Sequence, residues 1–224
     1  MMSLFKFFIQ VNIWKTFYFN FHYFPSNIAL RLPIYIYRRS KLFKMKGSII
    51  IEAPIKTGMI KFGAHGLGTV DSYYQRTIWE MYGTLIVKGD ASIGQGCKIS
   101  IGKSATLTLG DHFIISGSSS IICQKKITFG KHCLLSWDVL MMDSDLHHVL
   151  NDNNSIINNP QPIVIGDNVW IGCRNTILKG VFIANDIIIS ANSTITRSVK
   201  ETNCVIGGHG KTVEIIKRGI NWKM

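Results

Sequence analysis

Ile165-Gly-Asp-Asn-Val-Trp, Ile171-Gly-Cys-Arg-Asn-Thr, Ile177-Leu-Lys-Gly-Val-Phe, Ile183-Ala-Asn-Asp-Ile-Ile, Ile189-Ser-Ala-Asn-Ser-Thr and Ile195-Thr-Arg-Ser-Val-Lys follow one another without a slip. Isoleucine opens six hexads in succession. A helix turns about every 3.6 residues and cannot hold every sixth residue on one face. A plain strand alternates by two and would not run this far without a turn. Three short strands per coil satisfy the period. Each hexad supplies one flat side and one corner, with its first residue inward and Gly, Asn, Ser or Asp at the bend. Stacked coils then bury a column of Ile, Leu and Val. The expected fold is all-β, a parallel β-helix.

The same pattern runs upstream with slips. Ile93, Ile101, Leu109, Ile115, Ile121, Phe129, Leu135 and Met141 are the inward positions, and some steps are eight residues instead of six, as if two-residue bulges sat at corners. The repeat domain is expected over residues 48–206. Two stretches interrupt it: 63–82, with Gly63, Gly66, Gly68 and Trp79, and the polar, Asn-rich 142–162. The second reads as a protruding loop, and loops on a rigid scaffold are where function concentrates. Residues 207–224 form a short C-terminal segment, for which a helix is one option.

The 224 residues are 46% hydrophobic and 17% charged, enough for a full domain with a core and unlike a disordered chain. A net charge of +12 favours anionic partners: nucleic acid, anionic lipid or a phosphorylated cofactor. No helix-turn-helix, RNP-like or zinc-finger signature supports nucleic acid. The cysteines at 97, 123, 133, 173 and 204 are odd in number and lack CxxC spacing. That argues against a metal site or disulfide framework and for free thiols in a reducing compartment.

Residues 1–47 read as a basic, aromatic arm. The first fifty residues hold eight Lys or Arg, no Asp or Glu, and 13 of the 24 aromatics. Lys6, Lys15 and Arg31 break any signal-peptide core, and no run approaches the ~18 apolar residues of a spanning helix. The expectation is a cytoplasmic protein. The arm either lies on an anionic membrane through residues 1–46 or packs over the open end of the coil. Pro25 and Pro33 interrupt a long amphipathic helix and favour packing. Arg38, Arg39, Lys41, Lys44 and Lys46 form the densest basic cluster.

The hexads, the loop Asp143-Ser-Asp-Leu-His147, Asn168-Val-Trp-Ile-Gly172 and the ending Asn203-Cys-Val-Ile-Gly-Gly resemble the hexapeptide-repeat acyltransferases. More narrowly, they are similar to acetyltransferases encoded with capsule and lipopolysaccharide synthesis enzymes. The resemblance covers nearly the whole chain and is strongest over 130–206. It implies a left-handed parallel β-helix, a homotrimer with active sites between subunits, and acetyl-CoA as donor. The chain departs from the family at Gly208-His-Gly-Lys-Thr212, where relatives often carry Gly-Asn-Pro-Ala-Lys.

Acetyl transfer from a thioester to an alcohol needs a base for the hydroxyl proton, and a near-neutral histidine suits that role. His147 matches the family's catalytic position, with His148 as rival. Asp145 or Asp143 could orient the imidazole, or each could cap a turn. Asp138 is a third carboxylate. An N–H of Gly172 or Cys173 at a coil corner could receive the oxyanion, by resemblance. A nucleophilic role for Cys173 lacks an adjacent base. Ser190, Ala191, Thr196 and Arg197 match positions lining the CoA groove. Arg197 and Lys211 could meet its phosphates. Trp170 and Trp137 could wall the cleft and stack on a sugar, or pack against a neighbouring subunit. The acceptor is expected to be a sugar hydroxyl. A sugar amine, a serine, or no catalysis at all on a scaffold protein are the alternatives.

Overall fold

The computed structural model describes residues 9–64, 67–68, 70–71 and 73–223. Lys6 and Gly66 lie outside the described residues. Three parallel sheets run the length of the coil, and the chain visits them in rotation. The first is β1 (Ile34–Ile36), β4 (Ile60–Ala64), β7 (Ala91–Gly94), β10 (Phe113–Gly117), β13 (Leu134–Trp137), β16 (Trp170–Ile171), β19 (Ile187–Ile189) and β21 (Cys204–Gly207). The second is β2 (Ser40–Met45), β5 (Thr77–Met81), β8 (Lys98–Ile101), β11 (Ser120–Cys123), β14 (Leu140–Met142), β17 (Thr176–Leu178) and β20 (Thr194–Ile195). The third is β3 (Ser48–Ile51), β6 (Thr84–Val87), β9 (Thr106–Leu109), β12 (Lys126–Phe129), β15 (Ile163–Ile165) and β18 (Phe182–Ile183). This is a parallel β-helix of triangular section.

The isoleucine register explains the stacking. Ile165 pairs with Ile183 on the third sheet, Ile171 with Ile189 on the first, and Ile177 with Ile195 on the second. All six are buried to 1% exposure or less. The slipped upstream positions Ile93 to Met141 are buried as well. The bends between the first and second sheets carry left-handed backbone at Ser118, Asp138, Arg174 and Asn192. Those between the third and first carry it at His112, His132, Asn168 and Asp186. Buried polar side chains line the first of these corners. Asn175 donates to Gly172 O (2.8 Å) and accepts from Ser193 N (2.7 Å), and Ser119 Oγ accepts from Val139 N (3.0 Å).

Three boundaries differ from the sequence reading. The coil begins at Ile34, not residue 48, because β1 and β2 already pair with β4 and β5. Residues 63–82 do not break the coil throughout: Trp79 is an inward core residue of β5, and the excursion lies between β4 and β5. The C-terminal segment is not helical beyond the 3-10 turn Gly210–Thr212. It ends in β22 (Glu214–Arg218), which pairs antiparallel with β21 and completes the first sheet. Its β-branched pair Ile215-Ile216 suits an edge strand.

The open N-terminal end is plugged by α1 (Ile13–Tyr23). Asn12 caps it by accepting from Lys15 N (2.9 Å), and it stops at Phe24, which precedes Pro25 and is extended. Phe19 meets Trp79 edge-on at 5.2 Å, and Trp79 meets Phe62 at 5.2 Å, closing the core aromatically. Tyr23 OH accepts from the Trp79 indole at 3.2 Å, and burial pushes its phenol up to about 12. Among the described residues, no helix is long and apolar enough to cross a membrane.

Candidate active site

The loop after β14 leaves the corner between the second and third sheets. Asp143 anchors its root. The side chain is buried, and its carboxylate accepts backbone N–H groups of Gln124 (2.6 Å), Lys125 (2.8 Å) and Lys126 (2.6 Å) from the coil below. Asp143 therefore holds a turn and is not a partner of the imidazole.

Asp145 does not orient His147 either. Its Oδ2 accepts from Asn158 Nδ2 at 2.8 Å and forms an ion pair with Lys179. Lys179 also donates to Asn158 O at 2.9 Å, and Asn158 Nδ2 donates to the His147 carbonyl at 2.8 Å. Asn158 thus ties the two limbs of the loop together, and Lys179 fastens both to the coil. The bond from Lys179, then that from Asn158, holds the Asp145 carboxyl below its ordinary value. A depressed carboxyl contributes above its unfolded value and loses that contribution as pH falls through the folded one, so the clamp is charged at neutral pH. Nothing in the sequence singles out Asn158 and Lys179. A lysine at a repeat corner and one asparagine in an Asn-rich loop carry no local signal of this pairing.

His147 and His148 are both exposed, and neither ring has a hydrogen-bond partner among the described residues. Leu146, next to His147, forms one wall of a cavity of about 590 Å³ on the outer face of the second sheet, floored by Ile78, Ser100, Ser120 and Ile122.

The opposite edge of that sheet gathers a second group. Asp138, Cys173, Ser190 and Ala191 lie at or beside successive corners, linked by Arg174 N to Trp137 O (3.0 Å) and Asn192 N to Cys173 O (2.9 Å). The Gly172 N–H is taken by Ile189 O at 2.9 Å, so Gly172 is not the oxyanion donor. Its lack of a side chain is a packing need, since a Cβ would meet Ile189 O at 2.8 Å and Ala191 N at 2.9 Å. The Cys173 N–H has no partner among the described residues. Within one chain, the loop and this corner column are separated by the width of the second sheet. For β14 that is roughly 10 Å at the rise of a strand.

The remaining candidates are dispersed. Thr196 and Arg197 follow β20 at the loop-side corner, and Arg197 donates to Val213 O, holding the C-terminal segment. Lys211 is exposed on the 3-10 turn, beside His209, whose Nδ1 lies 3.3 Å from Thr194 Oγ1. Trp170 lies on the first sheet, not on the loop's face. Its indole donates to Ser136 Oγ (3.0 Å) and its ring packs at 5.9 Å against Trp222. Trp137 is half-buried at the end of β13.

No family model matches the chain. The structure aligns with that of AntD, an N-acyltransferase from Bacillus cereus, at a TM-score of 0.50 over 88% of this chain and 89% of that one, with 12% identity. The chain is a hexapeptide-repeat left-handed β-helix. Among curated relatives, the hexapeptide-repeat chain is 29% identical over 137 residues to the polysialic acid O-acetyltransferase of Escherichia coli O1:K1, covering 61% of this chain and 41% of the relative. It is 31% identical over 142 residues to a 24.8 kDa protein of the Klebsiella pneumoniae cps region, covering 63% and 61%. It is 33% identical over 90 residues to the polysialic acid O-acetyltransferase of Neisseria meningitidis, covering 40% and 39%. The chain thus spans between 39% and 61% of the length of these relatives.

Proposed function

We propose that this β-helix is an acyl-CoA-dependent O-acetyltransferase that moves an acetyl group from acetyl-CoA to a sugar hydroxyl of a surface polysaccharide. The similarity to polysialic acid O-acetyltransferases supports the reaction class. The observation that supports the reading is the anchored loop, in which Asn158 holds the His147 carbonyl and the neighbouring Leu146 walls the groove on the second sheet.

His147 accepts the hydroxyl proton as the alcohol oxygen bonds to the thioester carbon. The Cys173 N–H receives the oxyanion of the tetrahedral intermediate. Collapse breaks the carbon–sulfur bond, and the imidazolium returns its proton to the departing thiolate. The small residues Ser190 and Ala191 leave room for a pantetheine arm, and Arg197 and Lys211 supply charge for the phosphates. His147 and Cys173 sit on opposite edges of one sheet, so this reading needs the loop of one subunit to overhang the corner column of another, as the homotrimer implied by the resemblance would provide. Metal and nucleic acid have no part in this reading. The protein acts in the cytoplasm, peripherally at the inner face of the membrane.

Isothermal titration calorimetry tests the donor. Acetyl-CoA should bind with one equivalent per chain, and binding should weaken with salt, as phosphate contacts by exposed cations do. The absence of saturable heat up to millimolar acetyl-CoA from folded protein would sink the donor assignment.

A further inference from the structure

Helix α1 is amphipathic in an inverted sense. Its inward stripe carries polar Thr16 and Asn20, whose side chains satisfy the open edge of β1. Asn20 Oδ1 accepts from Ile34 N (3.1 Å), Asn20 Nδ2 donates to Ile34 O (2.7 Å), and Thr16 Oγ1 accepts from Ile36 N (3.0 Å). The first strand of a β-helix has no coil above it, so these groups replace the missing ladder. The outward stripe is aromatic: Trp14, Phe17, Tyr18 and Phe21, at i, i+3, i+4 and i+7, are 86%, 41%, 61% and 45% exposed. Capping an edge does not require aromatics on the far side, and none of the described residues covers them.

The surroundings are cationic. The exposed Phe43 lies between Lys41 and Lys44, whose ammonium groups sit 5.0 and 5.5 Å from its ring. His22 Nε2 lies 2.6 Å from Met45 O, which brings that strand alongside the end of α1. Burial, and then the nearby Arg76, lower the Lys15 pKa, so two like charges lie close together there, while Glu80 is the cross-strand neighbour of Lys44. The first acidic residue of the chain is Glu52.

We infer that the outer face of α1, with Phe43 and its lysines, is a docking surface for the headgroup region of an anionic phospholipid bilayer. Tryptophan and tyrosine suit that depth, apolar rings enter the acyl boundary, and lysines meet lipid phosphates. The coil axis then rises from the membrane, and the cavity walled by Leu146 of the His147 loop reaches down to Lys41 and Phe43 beside this surface. The aromatic stripe of α1 lies outside that cavity, so its test needs neither acetyl-CoA nor an acceptor.

The full chain is sedimented with vesicles of phosphatidylcholine containing phosphatidylglycerol, at low and high salt, beside pure phosphatidylcholine. The proposal expects binding to the anionic vesicles that falls with salt and is weaker on the neutral ones. It expects the W14S/F17S variant to lose at least about tenfold in partitioning with an unchanged melting temperature, since both side chains are exposed. Equal sedimentation of wild type and variant overturns it. So does wild-type protein that ignores anionic vesicles, or that instead forms larger assemblies abolished by the same substitutions, which would make the face a contact between copies of the chain.

Discussion

His147→Ala is expected to lower acetyl transfer about 10²- to 10⁴-fold, the usual worth of a positioned general base. Its folding should be untouched. The ring is exposed and makes no hydrogen bond among the described residues, and the loop geometry is held through the His147 carbonyl, which alanine keeps. Such surface substitutions shift stability by about 0.5 kcal/mol or less. His148→Ala serves as the paired control and should keep its rate within a few-fold. His148 is likewise exposed, with no ring hydrogen bond among the described residues, so its removal should leave the fold intact. Steady-state rates of both variants, taken with their melting curves, decide the assignment. An active His147→Ala protein, or an inactive His148→Ala protein of normal stability, contradicts it.

Asp143→Ala should have the opposite signature, a loss of fold stability. Three backbone N–H groups, of Gln124, Lys125 and Lys126, converge on a fully buried carboxylate. Removing it leaves them without acceptors. Orphaned buried donors cost about 1–3 kcal/mol each, partly relieved by entering water, so a net loss of about 3 kcal/mol is expected. For a chain of this length that lowers Tm by about 6–12 °C. Asp143→Asn keeps one acceptor oxygen and should fall between. Thermal or urea unfolding of the two variants checks the order. An alanine variant as stable as wild type with transfer abolished would return Asp143 to the chemistry.

The contrast between these aspartates marks how far the residues alone carry. The isoleucine period fixed the coil from Ile165 to Ile195 because every inward position repeats the same local solution. The loop was equally legible, since a run of Asn and Asp cannot continue a buried column. Asp143 was not, because its partners lie seventeen to nineteen residues earlier and share no motif with it. The Asp-x-Asp-x-His spacing drew both carboxylates toward the histidine. The fold sends one to the coil below and the other to Lys179. The start of the coil was hidden for a different reason. The strands at 34–45 are short and partly exposed, and their edge is covered by Thr16 and Asn20 instead of another isoleucine turn. Gly172 follows directly from the repeat. The residue after an inward isoleucine donates to the coil above, as Gly166 does to Ile183 and Gly172 to Ile189, so that N–H was never available to an oxyanion.

If this β-helix moves an acetyl group from CoA to a saccharide, as proposed, thiol release reports it. Purified protein is given acetyl-CoA and a panel of sugars, sugar nucleotides and acidic polysaccharides, and free CoA thiol is followed in time. Release above the acceptor-free blank is expected with at least one saccharide, in step with acetyl ester formed on it. Release no faster than the blank across the whole panel, from folded protein that binds acetyl-CoA, would contradict it.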